Sequence, residues 1–137
     1  MKYLILVSLI SNVMWSQNLD SHLWNNRVIL IMADEANAKL AEYQFNVLKA
    51  EKNKLKDRKI VIYKCASNSC VFYNGEAATK TIKKDLSIKG FETVLIGLDG
   101  GEKFKSKKLE KPSVFLDLID TMPMRQQELK NLNKGND

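Results

Sequence analysis

The sequence predicts an α/β fold built around a single sheet, and three observations support this class. Apolar runs rich in β-branched residues occur at 27–33, 60–63 and 91–98, and such runs are typical of buried strands. An amphipathic stretch at 34–55 separates the first two runs, which predicts a right-handed parallel crossover. The chain has 137 residues, of which 45% are hydrophobic and 28% charged, so it is long enough for one ordinary domain and too short for two.

Residues 1–16 have the features of a signal peptide that precedes this domain. Lys2 is followed by an apolar stretch at 3–10 and by a polar end with the small residue Ser16. The stretch is shorter than the roughly 20 apolar residues that a transmembrane helix needs. The alternative is a buried N-terminal strand. We expect cleavage near Ser16 and export to the periplasm or the extracellular space, without stable membrane insertion.

A polar lead-in at 17–26 precedes the first strand, and a helix follows that strand. Asp34 and Asn37 are candidate N-caps of this helix, which should run for about five turns. Its apolar residues recur near helical spacing and predict the buried face: Leu40, Tyr43, Val47, Leu48 and Leu55. The second strand then begins at Ile60.

The middle of the chain alternates short strands and turns. Residues 70–73 predict a short strand that ends at the Asn74-Gly75 turn. Apolar residues at helical spacing then indicate a second, weaker helix: Ala78, Ile82 and Leu86. Gly90 ends this helix before the third strand. The Asp99-Gly100-Gly101 turn joins the third strand to residues 102–105, which predicts a hairpin.

The last helix should begin at Pro112, and Pro123 should end or kink it. The tail at 130–137 is polar, and we expect it to fray. The resulting order is strand, helix, strand, helix, hairpin, helix. This is the order of a thioredoxin-like domain at 27–129, with helices on both faces of its sheet, although a fold class alone does not define a function.

Three stretches resemble a known family more closely than a general pattern would. Arg27 opens the first stretch, at 27–31, and Asp99 and Gly100 lie in the second, at 95–101. The third, at 118–128, contains an uncommon string: Asp120, Met122, Pro123, Met124, Arg125 and Glu128. Together they resemble the P-DUDES family, a domain of unknown function numbered 4174. The resemblance covers 27–129 and implies a peroxiredoxin-like fold in an exported domain.

The position that thioredoxin-like enzymes use for redox chemistry holds no cysteine in this sequence. Such an enzyme needs a thiolate at the end of the first strand, where the start of the next helix lowers the pKa of the thiol. Here residues 33–37 read Ala-Asp-Glu-Ala-Asn. We therefore expect the domain to be redox-inactive at that position.

The two cysteines, Cys65 and Cys70, predict a structural disulfide. They are separated by four residues and lie between apolar strand residues, and an exported protein favours disulfide formation. Two alternatives are a catalytic pair, which would make the protein a thiol-disulfide oxidoreductase, and two free buried thiols. The catalytic alternative needs a cationic neighbour, for which Lys64 is the candidate.

Two carboxylates follow the first strand at the edge where α/β sheets bind ligands. We interpret Asp34 as a helix cap and Glu35 as a first-turn acid, with a ligand-orienting role for the pair as the alternative. His22 is the only histidine and lies far from any strand end, so no Ser-His-Asp arrangement is expected. With one histidine and two cysteines, the sequence predicts no structural zinc site and no cofactor.

The Asp120–Glu128 string predicts a structural contact after the last helix. Arg125 should pair with Asp120 as first choice and with Glu128 as second, while an anion or a partner protein is the alternative. Met122 and Met124 suit apolar packing better than metal binding, and Met122 should point into the core.

Lysines dominate three stretches, around 49–59, 80–89 and 103–111, and the formal net charge is +6. Such runs are usually solvated faces. Weak binding to an acidic polysaccharide or another polyanion is an alternative function, whereas nucleic acid is disfavoured by export and by the lack of a binding motif. The leading hypothesis is a non-enzymatic, exported binding or structural module with an unidentified partner in the envelope or outside the cell.

Overall fold

The computed structural model describes residues 20–66, 69–82 and 88–135. These residues form a mixed α/β structure with one six-stranded sheet and four helices. The strands are β1 (Arg27–Ala33), β2 (Ile60–Ala66), β3 (Ser69–Tyr73), β4 (Ala78–Ile82), β5 (Phe91–Ile96) and β6 (Glu102–Ser106). The helices are α1 (Ala38–Lys49), α2 (Lys52–Asp57), α3 (Pro112–Asp120) and α4 (Pro123–Gly135). The predicted signal peptide at 1–16 lies outside the described residues.

The sheet has the strand order β4-β3-β2-β1-β5-β6, with β1 near its centre. β1 runs parallel to β2 and antiparallel to β5, so that Val28 lies opposite both Val61 and Ile96. All residues of β1 except Met32 are buried, as expected for a strand covered on both faces. The predicted parallel pair and the predicted β5–β6 hairpin are both confirmed.

Both faces of the sheet are apolar, but the helices cover only one of them in the described part of the chain. Ile29 and Ile31 belong to the main apolar cluster, which takes its helical members from α1, α2 and α3. Leu30 points the other way, because successive strand residues face opposite sides. It packs with Val94 in a second cluster that contains no helical side chain among the described residues. The prediction of helices on both faces is therefore wrong for these residues.

The cause of this error is the predicted second helix, part of which is a strand. Residues 78–82 form β4, which pairs antiparallel with β3. The Asn74 side chain accepts hydrogen bonds from the backbone N–H groups of Glu76 and Ala77, and Gly75 has a φ of +96°. This turn folds the chain back along β3 and imposes strand pairing. The remainder of the predicted helix, at 83–87, lies outside the described residues.

The predicted five-turn helix is two helices, α1 and α2, with a break at Ala50 and Glu51. Its buried face also differs from the prediction, because Leu40 and Tyr43 are exposed. The buried residues of α1 are Ala41, Gln44, Phe45 and Leu48. Gln44 is buried because its side-chain amide exchanges hydrogen bonds with the backbone of Glu110, at 2.9 Å and 2.8 Å. The buried face of α1 is thus rotated from the predicted one and includes a polar residue.

Pro123 ends one helix and begins the next, as its missing N–H and fixed φ allow. α3 stops at Asp120, and α4 then runs from Pro123 to Gly135, so the helix extends into the polar tail. Fraying of that tail stays a prediction. Met122 packs against the main apolar cluster as predicted, whereas Met124 is exposed. No helix in the described ranges has the length and apolar character that a membrane crossing requires.

Candidate functional site

The carboxyl end of β1 carries Asp34, whose side chain is occupied by local hydrogen bonds. One carboxylate oxygen accepts from the backbone N–H of Asn37 at 3.0 Å and from its side-chain amide at 2.7 Å. The other accepts from the backbone N–H of Gly90 at 2.7 Å. The hydrogen bond from Gly90, and then those from Asn37, hold the pKa of Asp34 below its ordinary value.

This geometry is that of a cap, because Asp34 closes the 3-10 turn Glu35–Asn37 and ties it to the loop before β5. The Glu35 side chain is exposed beside it. No contact in the described residues therefore brings the two carboxylates together at one ligand position. A ligand-orienting role for this pair stays a prediction.

Cys65 and Cys70 form a disulfide between β2 and β3, where they are direct register partners. Both residues are buried in the second apolar cluster, with Leu30 and Val94. Lys64 lies on the opposite face, since its ammonium group contacts Glu42 and the ring of Phe45 on α1. The cationic neighbour that a reactive thiol would need is thus directed away from the disulfide.

His22 packs beside this cluster, and both of its ring nitrogens have hydrogen-bond partners. Its Nε2 lies 2.7 Å from the hydroxyl of Tyr63, and its Nδ1 lies 3.1 Å from the side-chain oxygen of Asn26. Its ring centroid is 5.6 Å from that of Phe72 on β3. Burial raises the pKa of the Tyr63 hydroxyl above its ordinary value. The lead-in is therefore attached to the second face of the sheet through its histidine.

Six charged residues from distant parts of the chain form an ion cluster at the end of the sheet where β1 and β2 begin. The ion cluster consists of Arg27, Asp57, Arg58, Asp120, Arg125 and Glu128. Its three guanidinium groups match three carboxylates in formal charge. Arg27 and Arg125 are only 1% and 2% exposed, so these charges depend on their partners.

Arg125 makes contacts with all three carboxylates. Its Nη2 is 2.6 Å from the Asp57 carboxylate, and its Nη1 donates to the Asp57 carbonyl at 3.0 Å. Nη1 is also 3.2 Å from Glu128, and Nε is 3.4 Å from Asp120. Both predicted pairs are thus present, in the reverse order of distance. Asp57, the nearest partner, was not predicted.

The other two arginines complete the ion cluster. Arg58 donates two hydrogen bonds to the Asp120 carboxylate, at 2.9 Å and 2.8 Å, and these bonds are the main reason that the pKa of Asp120 is lowered. Arg27 donates to the carbonyl of Arg58 at 2.8 Å and lies 3.1 Å from Glu128. The ion cluster therefore holds α4 against the start of β1 and the end of α2.

The comparison with known proteins classifies the chain by family. The family profile of the domain of unknown function DUF4174 matches residues 18–128. The chain belongs to the DUF4174 family. No curated protein and no solved structure matches it.

In this DUF4174 domain, the second resembling stretch forms the β5–β6 turn. Asp99 shapes the turn by accepting the backbone N–H of Gly101 at 2.9 Å and by pairing with Lys103 at 3.0 Å, and these contacts lower its pKa. Gly100 has a φ of +81°, and a Cβ there would lie 2.7 Å from the side chain of Leu23. The carbonyl of Leu98 in this turn accepts a hydrogen bond from the backbone N–H of Trp24 at 2.7 Å.

The resembling stretches of the DUF4174 domain therefore meet at one end of the sheet, the end opposite Asp34. Val28, at the start of β1, pairs with Ile96, the last residue of β5, which places the β5–β6 turn beside Arg27. Asp57 and Arg58 belong to the same end, although they lie in a lysine-rich run that resembles a solvated face. Their contacts with α4 were not predictable from the sequence, because Asp57 and Arg58 are distant from α4 along the chain. Within the described ranges, no three His, Cys, Asp or Glu side chains are grouped to hold a metal ion.

Proposed function

We propose that this DUF4174 domain is an exported, redox-inactive, thioredoxin-like module that binds or supports a partner in the cell envelope or outside the cell. The arrangement β1–α1–β2 with a parallel strand pair, followed by the β5–β6 hairpin and α3, supports the thioredoxin-like part of the proposal. The partner is unidentified.

The observation that supports the proposal most directly is the residue at the carboxyl end of β1. A thioredoxin-like enzyme would place its reactive thiolate there. Asp34 occupies the position instead, and both of its carboxylate oxygens accept hydrogen bonds from Asn37 or Gly90. The position serves to connect two loops.

The disulfide supports the same conclusion. Thiol-disulfide exchange requires a thiolate to reach one of the sulfurs. Cys65 and Cys70 are 0% and 3% exposed. Lys64, the candidate cationic neighbour of a reactive thiol, instead pairs with Glu42 on the opposite face of the sheet. A buried bridge between paired strands favours a structural role over the rival oxidoreductase role.

The redox behaviour of the bridge tests the proposal directly. We expect a reduction potential below about −300 mV and no catalysis of insulin reduction. A potential in the range of roughly −120 to −270 mV, with reductase activity that disappears in Cys65→Ser, would establish the oxidoreductase instead.

Export is tested separately. Mass spectrometry of the protein from its producing cell should show an N-terminus near Gln17. Intact Met1 in a soluble cytoplasmic fraction would refute export and leave the redox test unaffected.

The alternative of polyanion binding receives less support from the surface charges. Four lysines of the first and third runs are in ion pairs: Lys54 with Glu51, Lys56 with Glu76, Lys103 with Asp99, and Lys105 with Glu92 and Glu102. Exposed pairs of this kind are typical of solvated faces and contribute little individually. The net charge alone therefore does not define an anion site.

A further inference from the structure

The lead-in displays an exposed tryptophan on an unusual backbone. Trp24 is 64% exposed, the largest fraction among the exposed large hydrophobic side chains of the described residues. Its φ of 64° lies in the left-handed region, which bulky side chains rarely adopt. Such conformations persist only where the surrounding structure holds them, and they are concentrated at functional sites. Trp24 is therefore a candidate binding residue.

The surrounding structure does hold this loop. The backbone N–H of Trp24 donates to Leu98 in the β5–β6 turn at 2.7 Å, and the N–H groups of Asn25 and Asn26 donate to the carbonyl of His22 at 3.0 Å and 2.8 Å. The His22 ring is in turn bonded to Tyr63 on β2. The indole is thus presented on a loop anchored to two parts of the sheet, and such preorganisation favours binding.

The chemistry of the surface around Trp24 indicates the class of ligand. Within residues 21–26, the exposed apolar side chains are Trp24 and Leu23, which is 36% exposed. The exposed neighbours Ser21 and Asn25 are polar, and the Asn25 amide donates to the Ser21 carbonyl at 3.3 Å. A stable protein interface needs about 800 Å² from each partner with an apolar centre, which is much more than one indole supplies. A pyranose ring fits better, because one of its faces presents C–H groups and its edge carries hydroxyls. The π face of an indole is partly negative and attracts C–H hydrogens.

We propose that Trp24 is the stacking platform of a saccharide-binding subsite, in a loop whose other exposed residues include the polar Ser21 and Asn25. This inference rests on the binding role proposed above and names its ligand class, the pyranose ring. Neutral and acidic glycans share that ring. They differ in the salt dependence of binding, which is strong only for a charged ligand.

The test uses the full chain on a printed panel of neutral and acidic glycans. We expect binding to at least one glycan, a loss of about tenfold in affinity in Trp24→Ala, and partial retention in Trp24→Phe, as for other single aromatic stacking contacts. Tyr43→Ala is the matched control, because Tyr43 is an aromatic residue with 59% exposure on α1, outside the loop. Its affinity should equal that of the unmodified chain.

Two results would overturn the proposal: no binding to any glycan of the panel, or equal affinities of Trp24→Ala and Tyr43→Ala. Trp24→Gly removes the ring and relaxes the backbone at a positive φ, so it replaces Trp24→Ala if that variant does not fold. The glycan assay and the insulin assay are independent. A negative glycan result would refute the saccharide subsite without refuting the redox-inactive module.

Discussion

At the scale of single residues, Arg125 makes more ion pairs than either of the other two arginines of the ion cluster. It is 2% exposed and contacts Asp57, Asp120 and Glu128. Removal of Arg125 takes away the nearest guanidinium of Asp57 and leaves three carboxylates with two guanidinium groups. We therefore expect Arg125→Ala to lower the free energy of unfolding by about 3 kcal/mol and the melting temperature by roughly 10 °C.

Two further variants make this measurement specific. Arg125→Lys keeps the charge but loses the planar fork, so it should fall between Arg125→Ala and the unmodified chain. Lys107→Ala, on an exposed turn, should change stability by less than about 0.5 kcal/mol. If thermal unfolding of Arg125→Ala matches that of Lys107→Ala, the ion cluster has no structural role.

Lys59 offers a second prediction at this scale, because it follows the end of α2 with a φ of 55°. Its carbonyl accepts the backbone N–H of Arg27 at 2.8 Å, so the conformation positions the first residue of β1. Glycine adopts this region without the cost of about 1–2 kcal/mol that other residues incur. In urea titrations, Lys59→Gly should be more stable than Lys59→Val by about 2 kcal/mol. Both variants remove the same charge, so equal stabilities would contradict the assigned backbone geometry.

At the scale of elements, the disulfide connects β2 to β3 and should act mainly on stability. The chain-entropy model gives about 2 kcal/mol for so short a loop. The double variant Cys65→Ala/Cys70→Ala should lose about that amount in a denaturant titration while its far-UV circular dichroism stays unchanged. Complete unfolding of the double variant would show instead that the strand pair depends on the bridge.

The individual elements also show how far the sequence determines this fold. β1 was predicted with its observed ends because a continuous apolar run has one stable environment, the centre of a sheet. The face of α1 was misassigned, since Gln44 is buried only through its bonds to the backbone of Glu110, a contact across 66 residues. β4 was missed because its pairing depends on the turn at Asn74 and Gly75, while its own apolar residues also match helical spacing.

The candidate sites were predictable to different degrees for the same reason. Asp34 was recognised as a cap because its partner Asn37 is three residues away. The pairs of Arg125 with Asp120 and Glu128 were also local, whereas its bond to Asp57 spans 68 residues and leaves no pattern in the sequence. Local chemistry is thus visible in the sequence, and contacts between distant segments require the fold.

At the scale of the whole molecule, acid should destabilise the domain through its hydrogen-bonded carboxylates. The pKa values of Asp34, Asp99 and Asp120 lie below the ordinary value of 3.8 in the folded chain. A lowered folded pKa stabilises the protein above the unfolded pKa, and this contribution is lost as the pH falls through the folded value. The free energy of unfolding should therefore be nearly constant between about pH 5 and 7 and fall below about pH 4.

Two variants measure the share of this acid sensitivity that Asp120 of the ion cluster contributes. Asp120→Asn should lower stability at neutral pH and reduce the further loss in acid, because the carboxylate bonded to Arg58 is gone. Asp117→Asn is the control, an exposed carboxylate on α3 that makes no ion pair among the described residues. Identical pH profiles for the two variants would show that Asp120 does not contribute.

The contact between Arg27 and Glu128 also constrains the order in which the molecule takes shape during synthesis. A ribosome adds about 5–20 residues per second, so Glu128 is made about 5–20 s after Arg27, which precedes it by 101 positions. During that interval, burial of Arg27 would leave its guanidinium with the carbonyl of Arg58 but without a carboxylate, which is strongly unfavourable. We therefore expect β1 to reach its final position only once α4 is available to supply Glu128.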